Sequence, residues 1–100
     1  AKRILGYIHS HLHRNVGLHE LAALVNRSSF HFCRLFANTF GMAPHRFILK
    51  LKLEKALELL KQKDLTITHI AHMLGFTDHA HFSNAFKRMT GISPQGYRKF

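Results

Sequence analysis

The sequence is short of several residue types, and each shortage excludes a class of protein. A single cysteine, Cys33, excludes an internal disulfide and fits a reducing cytoplasm. Two prolines and six glycines, with 46% hydrophobic residues, are typical of a folded chain, and 100 residues suffice for one domain or two very small ones. No apolar run approaches the roughly 20 residues that span a bilayer, and charge interrupts the N-terminal stretch, so neither a membrane span nor a signal peptide is predicted.

Because the sequence starts at Ala1 rather than Met, we expect a piece of a longer protein.

Acidic residues are scarce as well. Five Asp and Glu stand against 15 Lys and Arg, which leaves a formal net charge of +10 before any of the ten histidines is protonated. Such an excess favours polyanionic partners and raises the rate of association with them. Nucleic acid and an anionic membrane both qualify, and composition alone does not separate them.

Apolar residues recur at helical spacing along almost the whole chain, and no stretch alternates for long at the period of a strand, so an all-α fold is predicted. The predicted helices cover residues 2–13, 18–25, 28–39, 44–62, 66–74 and 78–89, with a short seventh turn from Ser93-Pro94. Their ends follow from an N-cap at Ser28, another at Thr77 or Asp78, and stops at Gly41 and Gly91. The expected inward residues are Ile4, Leu5, Ile8, Leu12, Leu18, Leu21, Ala22, Val25, Phe32, Leu35, Phe36, Thr39, Phe47, Leu53, Ala56, Leu57, Leu60, Ile67, Ile70, Ala71 and Leu74.

The two halves of the sequence repeat each other. A shift of 49 places Leu21-Ala22 on Ile70-Ala71 and Asn26 on Gly75. One residue is then inserted, and a shift of 50 pairs Ser28 with Asp78, Phe32 with Phe82, Phe36 with Phe86, Gly41 with Gly91, Pro44 with Pro94 and Phe47 with Tyr97. Each copy reads as a short helix, a tight turn and a longer helix. A small residue, Ala22 or Ala71, allows the longer helix to cross closely, which is the physical requirement of a helix-turn-helix.

The second half carries specific motifs. They are Leu53-Glu54-Lys55-Ala56, Ile67 with Ile70-Ala71, Gly75-Phe76-Thr77-Asp78, Phe82-Ser83, Phe86-Lys87, Gly91, Ser93-Pro94 and Tyr97-Arg98. With these residues the chain resembles the DNA-binding domain of the AraC/XylS family of transcription regulators, from about residue 4 to 98. Two departures stand out: Lys52 lies where the family often has arginine, and Phe30 and Cys33 are unusual on the exposed side of the first recognition helix.

The resemblance implies a homeodomain-like, AraC-type architecture: seven helices, with two helix-turn-helix subdomains (residues 1–43 and 63–100) joined by a central linker helix (44–62). It implies sequence-specific binding of double-stranded DNA and regulation of transcription, with recognition helices 28–39 and 78–89 inserted in adjacent segments of the major groove. It also implies a separate, usually N-terminal, effector or dimerisation domain that is absent from this sequence. RNA polymerase is a further candidate partner, and no membrane, cofactor or metal is expected.

The predicted base contacts are the outward side chains of the two recognition helices, opposite the core stripe. They are Ser29, Phe30, Cys33, Arg34, His79, Ala80, Ser83 and Asn84. Arg34 has the fork that binds guanine O6 and N7, and Asn84 can bind adenine N6 and N7. The surrounding cations are expected to contact phosphates, which positions the protein without reading sequence. They are Arg27, Lys50, Lys52, Lys87, Arg88, Arg98 and Lys99.

Metal and catalytic interpretations are weaker. His9 with His13, and His69 with His72, have the spacing of side-by-side imidazoles, but a zinc site needs three or four ligands, and no Cys/His cluster supplies the rest. We therefore expect surface histidines, and whether any of them binds a metal stays open. Cys33 lacks the partner base of a nucleophile, and no paired carboxylates or glycine-rich phosphate loop indicate an enzyme.

Three other binding interpretations compete with specific duplex recognition. Phe32, Phe36, Phe82 and Phe86 could stack on single-stranded bases, but their helical spacing favours a core. A nonspecific nucleic-acid binder would need only the charge, whereas the outward positions mix polar and apolar residues. A helical module for an acidic protein partner is the third alternative, which a strong salt dependence of binding to random duplex would disfavour.

Overall fold

Seven α-helices form the regular structure of residues 2–99, the part of the chain that the computed structural model describes. They are α1 (Lys2–Ser10), α2 (Leu18–Leu24), α3 (Ser29–Phe40), α4 (Pro44–Leu59), α5 (Ile67–Met73), α6 (His79–Thr90) and α7 (Pro94–Arg98). These residues contain no strand, so the predicted all-α class with seven helices is confirmed. Residues 1 and 100, the ends of the predicted domain range, lie outside the described part.

Two helices end three residues earlier than predicted. α1 stops at Ser10 rather than residue 13, and α4 stops at Leu59 rather than residue 62. After each helix the amides bond to carbonyls three residues back, from His11 to Ile8 (3.1 Å) and from Gln62 to Leu59 (3.0 Å). This tightening of the last turn is a common way to satisfy the free carbonyls at a helix end.

The chain divides into two units, residues 1–51 and 52–100, and the boundary falls within α4. In the first unit the core is built from α1, α2, α3 and the first half of α4. Its buried residues are Ile4, Ile8, Leu21, Ala22, Phe32, Phe36 and Ile48. In the second unit the buried residues include Leu53, Ala56, Leu60, Ile70, Ala71, Phe82 and Phe86.

The repeat seen in the sequence is also a repeat in backbone conformation. The turn after α2 places Asn26 at φ 54°, and the turn after α5 places Gly75 at φ 77°. In both turns the amide of the next residue donates a hydrogen bond to the carbonyl of the buried alanine in the preceding helix. Arg27 donates to Ala22 at 3.1 Å, and Phe76 donates to Ala71 at 3.0 Å. This six-residue closure with a left-handed residue is a common helix ending, and asparagine and glycine are the residues that adopt it most readily.

The aromatic cores repeat in the same way. Phe36 meets Phe47 edge to face, with ring centroids 5.3 Å apart and planes at 74°. The aligned pair in the second unit, Phe86 and Tyr97, has a separation of 5.9 Å and an angle of 69°. Edge-to-face packing is favoured by the aromatic quadrupole. Phe32, Phe36, Phe82 and Phe86 are therefore buried core residues, as expected.

Some residues expected to face inward do not. Leu18, Val25, Leu35 and Thr39 are exposed. α2 is only seven residues long and buries two of them, so its contact stripe is narrower than helical periodicity suggests, and Val25 lies beyond its last turn. On α3 the large rings at positions 32 and 36 are buried, and the Phe40 ring packs against the same core. Five others are only half-buried: Leu5, Leu12, Phe47, Leu57 and Ile67.

An ion cluster that the sequence analysis did not anticipate ties α1 to α2. The Glu20 carboxylate accepts hydrogen bonds from the Tyr7 hydroxyl and from the Arg14 guanidinium, whose Nη1 lies 3.1 Å from Oε1. It also accepts from the Gly17 amide at 3.4 Å, where α2 begins. The Arg14 hydrogen bond, followed by that of Tyr7, lowers the pKa of Glu20 to about 2.

The cluster predicts a specific acid sensitivity. A carboxylate whose folded pKa is lowered stabilises the fold above its unfolded pKa of about 4.3 and loses that contribution as pH falls toward the folded value. Glu20→Gln should therefore be less stable than the parent at pH 7, and the difference in melting temperature should shrink between about pH 4.5 and pH 2.5. Glu54→Gln, at an exposed position on α4, is the control and should show no such convergence. A Glu20→Gln deficit that stays constant with pH would contradict the prediction.

Candidate nucleic-acid interface

Side-chain caps fix where the two predicted recognition helices begin. Ser28 Oγ accepts a hydrogen bond from the His31 amide at 3.2 Å, and Asp78 Oδ1 accepts one from the His81 amide at 2.8 Å. Asp78, rather than Thr77, is thus the cap of α6. Because a helix advances about 100° per residue, the burial of Phe32 and Phe36 on α3, and of Phe82 and Phe86 on α6, determines which side chains face away from the core.

In the first unit the outward face of α3 carries an aromatic ring and a cation. Phe30 is 73% exposed and Arg34 is exposed one turn later, while Ser29 and Cys33 flank them half-buried. The guanidinium carbon of Arg34 lies 5.9 Å from the centroid of the Phe30 ring, within the range of a cation–π contact. This pairing is not among the sequence-based predictions, although the i,i+4 spacing of the two residues indicates it.

In the second unit the outward face of α6 carries polar groups without an aromatic ring. Ala80 and Asn84 are exposed, and His79 and Ser83 are half-buried beside them. Ser83 Oγ lies 3.5 Å from His79 Nδ1, and the His79 tautomer decides which of the two donates. This face offers an amide, a hydroxyl and an imidazole, which together provide hydrogen-bond donors and acceptors.

The eight predicted base-contacting residues fall into four aligned pairs under the repeat. The pairs are Ser29 with His79, Phe30 with Ala80, Cys33 with Ser83, and Arg34 with Asn84. Within each unit the four residues share one side of one helix. The repeat therefore preserves the place of the outward face while changing its chemistry.

Five of the seven predicted phosphate contacts are exposed cations. Arg27 lies in the turn before α3, and Lys87 and Arg88 lie in the last turns of α6. The five are Arg27, Lys50, Lys87, Arg88 and Lys99. Their side chains are accessible to a polyanion.

Lys52 corrects one prediction. It is only 4% exposed, and its Nζ lies 5.8 Å from the centroid of the Phe76 ring. Burial lowers the pKa of this lysine because the charged form loses hydration. A phosphate contact from Lys52 does not fit this position, and the lysine belongs to the packing of the second unit instead.

Arg98 already has hydrogen-bond partners within the second unit. Its Nε donates to the Leu60 carbonyl at 3.1 Å and its Nη2 donates to the Gln62 carbonyl at 3.2 Å. The guanidinium thus satisfies carbonyls in the turn that follows α4, where a helix leaves acceptors unpaired. Arg98 therefore has a structural role within the second unit, and its phosphate contact stays a prediction.

The described residues hold neither a metal cluster nor a membrane helix. Between residues 2 and 99, no group of three or more His, Cys, Asp or Glu side chains could hold a metal ion. None of the seven helices combines the length and the apolar character needed to cross a membrane.

Comparison with known proteins places this geometry in a family. A family model described as "Helix-turn-helix domain" matches residues 21–99. The chain is 36% identical over 93 residues to the MmsAB operon regulatory protein of Pseudomonas aeruginosa, and this match covers 93% of the chain but 30% of that relative. The chain therefore corresponds to less than a third of the relative's length.

Two solved structures share the fold. One is the C-terminal domain of AraT, a response regulator from Geobacillus stearothermophilus (32% identity, TM-score 0.91, 98% of this chain and 82% of that one). The other is the DNA-binding domain of AdpA, a global transcriptional factor, in complex with a target DNA (28% identity, TM-score 0.92, 98% of this chain and 88% of that one). The chain belongs to the AraC/XylS family of helix-turn-helix transcription regulators.

Proposed function

We propose that this protein binds double-stranded DNA at specific sequences and thereby regulates transcription, with α3 and α6 as recognition helices in adjacent segments of the major groove. In this proposal residues 1–43 and 63–100 are two helix-turn-helix subdomains that each recognise bases, and residues 44–62 are the linker helix between them. The observation that carries the proposal is the pair of aligned outward faces, which mix polar and apolar groups and are accompanied by exposed cations. The likeness to a domain solved with its target DNA supports it.

The two outward faces would read different bases. Arg34 presents five donors in a planar fork that matches guanine O6 and N7, and Asn84 presents a donor and an acceptor that match adenine N7 and N6. Each such bidentate pair contributes about 1–3 kcal/mol of discrimination. Ser29, Cys33, His79 and Ser83 would add single hydrogen bonds, and Phe30 and Ala80 would add apolar contacts.

The exposed cations would position the two subdomains on the DNA backbone. Arg27, Lys50, Lys87, Arg88 and Lys99 would neutralise phosphates, which contributes affinity at any sequence. The amides in the first turns of α3 and α6 would add phosphate contacts, because the start of a helix carries partial positive charge.

The rest of the protein would supply control. We propose that a separate effector or dimerisation domain accompanies this chain and that RNA polymerase is a partner of the whole regulator. The role proposed for this chain needs no catalysis, cofactor or membrane, and its place is the bacterial cytoplasm, where promoter DNA lies.

In-vitro selection from a random duplex library tests the proposal. We expect an asymmetric site with two short blocks about one helical turn, ~34 Å, apart. Asn84→Ala should weaken binding by about 5- to 150-fold and relax one block only, because an adenine contact of about 1–3 kcal/mol is lost. Arg34→Ala should do the same to the other block.

Matched variants separate this outcome from its rivals. His69→Ala, at an exposed position on α5 outside both faces, should leave the selected sequence unchanged. If selection gives no consensus, and random and selected duplexes bind alike at every salt concentration, then the chain is a nonspecific electrostatic binder. If no duplex binds it at low salt, DNA is not its partner.

A further inference from the structure

Phe30 is placed where a folded protein would not keep a phenylalanine for stability. It is the second residue of α3 and is 73% exposed, whereas Phe32 and Phe36 on the same helix are buried. Large aromatic side chains contribute stability by burial, so an exposed ring gains little for the fold. The aligned residue of the second unit is Ala80, so the repeat does not require a ring at this place.

The Phe30 ring has a cationic neighbour, which limits the bases that the ring can contact. Arg34 follows one helical turn later on the same outward face, and its guanidinium carbon is 5.9 Å from the ring centroid. The contact holds the cation beside an apolar surface, and both groups stay accessible. The outward face of α3 therefore presents a guanidinium fork and a flat apolar ring side by side.

We propose that the first unit recognises a two-base step, a 5-methylated pyrimidine followed by guanine on the same strand. This inference rests on the proposed function. Arg34 binds O6 and N7 of the guanine, and the Phe30 ring packs on the C5-methyl group of the pyrimidine on its 5′ side. Successive bases on a strand are only ~3.4 Å apart along the helix axis. A ring and a fork that touch each other therefore suit one base step.

The chemistry of the ring defines the class of base. Thymine and 5-methylcytosine carry a methyl group in the major groove, and an apolar ring gains from covering it. Unmethylated cytosine lacks that group, and because it shares the N4 amino donor with 5-methylcytosine, the methyl group alone distinguishes the two for the ring. The first unit should thus bind TG and 5-methylcytosine–guanine steps alike and bind CG more weakly.

Removal of a single methyl group from the DNA tests the inference. In the block that Arg34→Ala relaxes, we expect a TG step. Replacing its thymine with deoxyuridine should reduce affinity by about fourfold, the effect of one buried methylene-sized group. A 5-methylcytosine at the same place should bind like thymine, and an unmethylated cytosine should bind no better than deoxyuridine.

A matched set of variants assigns the effect to the ring. In Phe30→Ala, thymine and deoxyuridine should bind equally, and the guanine preference should remain because Arg34 is unchanged. Leu35→Ala removes another exposed apolar side chain from α3 and should keep the fourfold difference. Circular dichroism of Phe30→Ala should match the parent, since the residue is outside the core.

Two kinds of failure can be told apart. If the parent binds thymine and deoxyuridine equally at the selected step, or if Phe30→Ala keeps the difference, the inference is wrong and the proposed function stands. If selection gives no consensus at all, the proposed function fails, and the inference falls with it.

Discussion

Phe86→Ala should lower the free energy of unfolding by about 3–5 kcal/mol, the largest effect expected of any single change in this chain. Phe86 is 0% exposed and lies between Phe82, at 5.8 Å between ring centroids, and Tyr97, at 5.9 Å. Truncation removes the transfer free energy of the ring and leaves a cavity that the neighbouring rings cannot fill by rotation alone. Urea unfolding followed by circular dichroism measures the change.

Phe30→Ala is the control for that experiment, because it removes the same ring from an exposed position of the other recognition helix. Its free energy of unfolding should stay within about 0.5 kcal/mol of the parent. Hydrogen exchange locates the damage, since Phe86→Ala should reduce protection in α5 and α6. A loss below about 1 kcal/mol for Phe86→Ala would mean that the second unit is not packed around this ring.

Affinity for duplex DNA should fall by about 500-fold when salt rises from about 50 to 200 mM. The five exposed cations proposed to contact phosphate give a slope of about −4.5 in log K against log salt, at about 0.9 for each phosphate neutralised. Two of the seven cations predicted from the sequence are left out of this count, because Lys52 is buried and Arg98 is engaged with backbone carbonyls. Fluorescence anisotropy with a labelled duplex measures the slope.

Single charge removals check the assignment. Lys87→Gln should make the slope shallower by about 0.9, on selected and random duplex alike. Lys63→Gln removes an exposed lysine outside the proposed set and should leave the slope unchanged. A slope that responds equally to both substitutions would indicate diffuse attraction by the net charge rather than defined phosphate contacts.

Local sequence was enough to predict the helices and their repeat. Caps such as Ser28 and Asp78 act on amides three residues away, and Gly41 and Gly91 end their helices through their own backbone angles, φ 81° and 88°. Such features depend on a few neighbouring residues, so they can be recognised in the sequence. The outward faces of α3 and α6 follow from the spacing of their core phenylalanines and from the helical step.

Tertiary environment decided what the sequence could not. A count of charges treats Lys52 and Lys50 alike, yet one is buried and the other exposed. Helical periodicity treats Val25 as an inward residue, yet α2 ends before it. In both cases the burial of the side chain depends on how the rest of the chain folds around it.

The position of Arg98 in the sequence affects the order in which the two units can fold during synthesis. Its hydrogen bonds reach back 38 residues to Leu60 and 36 to Gln62. Until residue 98 has emerged from the ribosome, the Leu60 and Gln62 carbonyls lack the hydrogen bonds that Arg98 donates. These two hydrogen bonds can therefore form only after residue 98 has emerged from the ribosome, whereas the buried residues of the first unit's core are all available once residue 48 has emerged.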